Sequence, residues 1–197
     1  MKSKILALTA RTIAVLALTA GIGAQAQNSE QNALNGASVT TFNGVIDAYS
    51  PRTTATSTAP ATGPYEIHGP WTLTVDTSSE RADFSAAVNM ELSDGWALTL
   101  NKGDFDPKDR NAHTHHITLV DAHVAQLPNN GLEIYGIATI TLNGNPAPVS
   151  PSPAVIKITG GADVEYSNIT LTFGTPGSKH FGPEPLPGVV QSITQEE

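Results

Sequence analysis

From Ala82 to Leu92 every second residue is apolar: Ala82, Phe84, Ala86, Val88, Met90 and Leu92 alternate with Asp83, Ser85, Ala87, Asn89 and Glu91. A period of two puts one set on each side of an extended chain, so this stretch reads as a strand with one dry and one wet face. Trp71, Leu73 and Val75, alternating with Thr72, Thr74 and Asp76, make a second strand of the same kind. Ser93-Asp94-Gly95 has turn chemistry, and Trp96, Leu98 and Leu100 carry the apolar face onward, which predicts a hairpin over 82–101.

The rest of the chain is punctuated in the same way. Val39 to Tyr49 is a strand candidate, and residues 50–69, rich in Pro, Thr and Ala, read as a long surface loop. A strand over 115–126 leads through Asn129-Asn130-Gly131 into Leu132 to Asn143, whose inward set is Leu132, Ile134, Gly136, Ala138, Ile140 and Leu142. Ala154 to Thr159 is a short strand, and Val164 to Phe173 is a longer one whose parity shift predicts a bulge near Ser167-Asn168. The Gly/Pro-rich tail after Phe173 is expected to wrap the outside, with Val189 to Ile193 as an edge strand. About eight hairpin-linked strands and no amphipathic helix make this an all-β chain. A small antiparallel barrel is favoured over a β-sandwich, because closure removes exposed edges.

The first residues read as a secretory signal: Lys2, Lys4 and Arg11 precede or flank the short apolar run Thr12 to Ala20, and Ala24-Gln25-Ala26 is a small-residue cleavage site. The apolar run is well short of the ~20 residues a spanning helix needs. The expected organisation is a signal peptide over 1–26, a flexible leader over 27–38 and a single β domain over 39–197, secreted or periplasmic, with no membrane span after cleavage. Processing removes three of the ten basic residues and none of the eighteen acidic ones, a net charge of −11 that repels nucleic acid and anionic membranes. Cysteine is absent. That excludes disulfides, a blue-copper thiolate and a cysteine nucleophile together.

Four of the six histidines fall within 113–123. On a strand His113 and His115 project to one side and His116 to the other, so the first two can chelate one ion. Imidazole suits Zn²⁺ and Cu²⁺, and a lone methionine after processing, Met90, argues against a thioether Cu(I) carrier. A third ligand is required, and His68, His180, Asp121 and an acidic side chain of the 104–109 loop are the candidates. Beyond Ile117 and Leu119 the apolar parity passes to Val120, Ala122 and Val124, so either a bulge lies near Leu119-Val120 and turns His123 outward, or the strand is buried on both faces. Asp104 to Asp109 lacks the glycine and distal glutamate of an EF-hand, and no G-x-S-x-G elbow, P-loop or dinucleotide fingerprint occurs.

Through HTHHITL at His113 to Leu119, with Trp71-Thr72-Leu73, Ala82-Asp83-Phe84, and His180-Phe181-Gly182 before Gly188-Val189-Val190, the chain resembles a group of uncharacterised exported bacterial proteins. The resemblance spans most of the mature chain and implies a family domain, but it brings no activity with it. The strand count is similar to the barrel of allene oxide cyclase and dirigent proteins, which implies binding of small apolar molecules. Three expectations stand together. The first is a barrel holding a small apolar ligand against Trp71, Phe84 and Trp96. The second is an isomerase or cyclase in which His115 or a nearby carboxylate moves protons, and the third is a Zn²⁺ or Cu²⁺ site at His113 and His115. Catalytic residues, substrate and oligomeric state are not legible.

Overall fold

The computed structural model describes residues 39–50, 64–93 and 112–196. Nine strands lie within them: β1 (Val39–Ser50), β2 (Tyr65–Asp76), β3 (Arg81–Leu92), β4 (His113–Leu127), β5 (Gly131–Leu142), β6 (Asn145–Pro146), β7 (Ser152–Thr159), β8 (Asn168–Phe173) and β9 (Leu186–Glu196). One helical turn, α1 (Ser178–Phe181), connects β8 to β9. Apart from β6, which flaps back on β5, each strand pairs antiparallel with the one before it, and β9 returns to pair with β1. The result is a closed eight-stranded up-and-down barrel, so no sandwich edge is left to protect.

Alternation becomes burial directly. In β3 the set from Ala82 to Leu92 is buried and the intervening residues are not, and on β5 Leu132, Ile134, Ala138 and Ile140 face the core as expected. Phe42, Ile46, Ile67, Leu73, Val88, Met90, Ile117 and Ile156 fill the interior from every side of the wall. Trp71 stacks on Phe84 with ring centroids 6.3 Å apart. Gly44 faces that indole: a Cβ there would lie 2.7 Å from Trp71 Cζ2, so only glycine lets the ring in.

Several boundaries differ from expectation. The 50–69 segment is not loop throughout, since β2 begins at Tyr65 and includes Pro70. The β2–β3 register skips Gly69 and Pro70, while both stay in register with β1, so the proline stands at a gap in one of its two ladders. The strand expected from Val164 begins at Asn168, because residues 161–167 form a turn in which Tyr166 adopts φ 64. No bulge within a strand is needed there. The tail does not wrap the outside. From Leu186 to Glu196 it inserts between β8 and β1 and closes the barrel, which satisfies two ladders where an outer wrap would satisfy one at most.

The irregularity expected near Leu119-Val120 is present. The β4 register slips against both β3 and β5, Asp121 sits at φ 54, Val120 is 77% exposed and His123 points outward. The signal and leader, the return strand carrying Trp96 and the 104–109 loop lie outside the described residues. Among the described residues no helix is long and apolar enough to cross a membrane.

Candidate metal centre

The entry to β4 behaves as its spacing requires. His115 is buried at 1% exposure, His113 is half-buried on the same side, and His116 is exposed on the other. The backbone that aims them is held by β5 and the turn after it. Thr114 N–H donates to Asn143 Oδ1 at 2.9 Å, Asn143 N–H donates to Thr114 O at 2.8 Å, and His116 N–H donates to Thr141 Oγ1 at 3.2 Å.

The third histidine arrives from α1. Ser152, fully buried on β7, accepts the Gly177 N–H at 3.0 Å and donates to Gly174 O at 3.0 Å. Phe181, with no exposed surface, stacks on Phe173 at 4.6 Å. These contacts fix the turn on the β7–β8 side and leave His180 facing the barrel mouth, where its ring lies 4.8 Å from that of His115 and 5.4 Å from that of His113.

The nitrogens converge. His115 Nδ1 lies 2.8 Å from Thr141 O, a carbonyl that can only accept, so this nitrogen carries the proton and Nε2 presents its lone pair to the cluster. His180 Nε2 sits 2.9 Å from His115 Nε2 and 3.3 Å from His113 Nε2. With His115 Nε2 unprotonated, His180 Nε2–H is the donor of that contact, and His180 must carry its proton on Nδ1 instead to offer Nε2 to an ion. One ring nitrogen from each of the three lies within 4.8 Å of the others. Two imidazole nitrogens bound tetrahedrally to one Zn²⁺ stand about 3.3 Å apart, so the 2.9 and 3.3 Å separations already approach coordination distances.

The electrostatics favour neutral donors. Burial holds His115 down to about 4, with the neighbouring His180 and His113 pushing the same way against the Thr141 hydrogen bond. Burial, and then the charge of His113, hold His180 down to about 4 as well. At neutral pH both rings are uncharged, the form a metal ion binds. Phe181 meets His115 edge-on at 4.9 Å and Tyr65 meets His113 edge-on at 6.1 Å, so aromatic rings flank the cluster on two sides.

Of the candidates for a third ligand, His180 joins the pair. His68 is exposed on the outer face of β2, and Asp121 lies at the opposite end of the barrel, 3.5 Å from Arg81. His123 is outside as well, stacked on Tyr135 at 5.3 Å and bonded to Arg81 at 2.7 Å. The acidic 104–109 loop is outside the described residues.

The opposite end also carries a recess of about 370 Å³, lined by Val75, Thr77, Glu80, Val124, Ala125, Gln126 and Leu132. Comparison with protein families, with curated proteins and with solved structures finds no match to this chain.

Proposed function

We propose that this protein is an exported barrel that binds a divalent metal ion, Zn²⁺ or Cu²⁺, through His113, His115 and His180. The observation that carries the reading is the convergence of three ring nitrogens, two of them on rings kept neutral by burial, at one end of the barrel. Thr141 O supplies the outer hydrogen bond that metal-bound histidines characteristically make, and it fixes which nitrogen of His115 faces the ion. Three neutral nitrogens with no thiolate and no carboxylate leave the ion its full charge and room for a fourth ligand, an arrangement suited to polarising a bound water or small anion.

Calorimetric titration of the chelator-treated protein with Zn²⁺ and with Cu²⁺ tests this. One ion per chain is expected for the native protein, and neither His113→Ala/His115→Ala nor His180→Ala should retain that affinity. Equal binding by native and variant proteins, or binding by none, sinks the reading. A Cu²⁺-loaded sample adds a spectroscopic check, because three coordinated nitrogens split its electron paramagnetic resonance lines.

A second reading rests on the recess at the other end, whose volume above roughly 300 Å³ admits a small molecule and whose lining sets Val75, Val124 and Leu132 beside the polar Thr77, Glu80 and Gln126. Mass spectrometry of material released on denaturing the purified protein tests it, and an empty protein counts against it. A proton-moving role for His115 in an isomerase or cyclase is less favoured. Its unprotonated nitrogen is engaged by His180 and its ring is covered by Phe181, so a substrate would first have to displace both.

A further inference from the structure

The seams of the barrel are unequal. The β1–β2 ladder joins twelve residue pairs, whereas β8 and β9 share only four, Asn168↔Val189 to Leu171↔Leu186. One of those four is Thr170↔Pro187, where proline has no N–H to give. Away from the histidines the seam is extended by Tyr166 N–H to Val190 O at 2.7 Å and Val190 N–H to Ser167 O at 2.9 Å. Towards the histidines the ladder stops at Leu171, although β8 runs on to Phe173, and the connector carrying α1 takes over.

That connector reaches a strand it does not neighbour. In the sheet β8 is separated from β4 by β7 and β5, yet His180 meets His115 and His113 across the mouth, 65 and 67 residues away in sequence. On its near side α1 is fixed by Ser152 and Phe173, and on its far side by ring contacts of His180 and Phe181 with the β4 histidines.

Resting on the metal-site reading above, we propose that the ion is a staple for barrel closure: by joining His180 to His113 and His115 it ties the β8–β9 connector to β4 and holds shut the seam with the shortest ladder. In a chain with no cysteine, this gives the barrel a cross-link between distant segments that a disulfide would otherwise supply. Metal loading thereby sets how tightly the four-pair β8–β9 seam is held, while β9 keeps its eight-pair ladder with β1.

Hydrogen–deuterium exchange on the whole protein, with and without saturating Zn²⁺, tests the staple while a chromogenic chelator measures Zn²⁺ binding on the same samples. Zn²⁺ should slow exchange by about tenfold or more in 168–190 and at 113–118, and leave the long β1–β2 and β2–β3 ladders unchanged. Ser152→Ala, which removes one of the two near-side anchors of α1 without touching a histidine, should speed seam exchange in the metal-free protein, and Zn²⁺ should restore protection. Zn²⁺ bound with no change in seam exchange, or with equal slowing everywhere, overturns the staple and leaves the metal site standing. Absence of Zn²⁺ binding overturns the Zn²⁺ staple, and absence of Cu²⁺ binding as well overturns the metal site with it.

Discussion

Acid should weaken the metal-free barrel in a particular window, and His115 sets the size of the effect. Its pKa is 6.5 in an open chain and about 4 in the fold, where burial disfavours the imidazolium. Above pH 6.5 neither state takes up a proton there, and stability is complete. As pH falls from 6.5 towards 4 the unfolded chain is protonated while folded His115 is not, so the native state loses ground, and below about 4 the loss levels off. A shift of this size corresponds to about 3 kcal/mol at a site that is 1% exposed. His180 acts in the same direction, with a smaller contribution because it is partly open to solvent and shares the cluster. For a domain of this size the drop in Tm is about 6–12 °C. Asp76, held down to about 2 by Ser78 and Ser79, loses its native advantage only below 3.8 and does not enter the window. Urea unfolding of chelator-treated protein from pH 7.5 to 4, beside His115→Gln, measures the effect. A flat profile between 6.5 and 4, or the same slope in the variant, would refute the assignment of a buried neutral imidazole.

Saturating metal should act in the opposite sense. Zn²⁺ at a hundred times its Kd should add about 2.7 kcal/mol to the stability of the native protein, read as a rise in Tm that His180→Ala abolishes. Phe84→Ala removes a fully enclosed ring from beneath Trp71 and should cost about 3–5 kcal/mol by urea unfolding, with the metal stoichiometry unchanged. His123→Ala, on the outer wall, should shift stability by less than about 0.5 kcal/mol and leave metal affinity as it is, a control that separates the inward histidines from the outward one.

Much of this molecule follows from local pattern. A period of two needs only the pleat to become a dry and a wet face, so the inward sets of β2, β3 and β5, the opposite aim of His115 and His116 and the parity break at Leu119-Val120 can all be read residue by residue. Closure is legible to the same extent, because a run of hairpins with apolar inward sets has two edges to hide and few ways to hide them. The use of the tail is only partly legible: Val189 to Ile193 reads as an edge strand, but Leu186 to Glu196 has a weak alternation broken by Pro187 and Gly188, and it closes the barrel because β1 and β8 each present an unpaired edge to it. The same holds for the third histidine. His180 lies in a Gly- and Pro-rich stretch with no period, one of four candidates of equal standing in the sequence. Only the path of β8 around the barrel, with Ser152 and Phe173 seating α1 on its end, carries that ring across the mouth to His115. Side-chain direction along a strand is a local property of the chain. Which distant segment meets it is decided by how many strands the sheet needs to close.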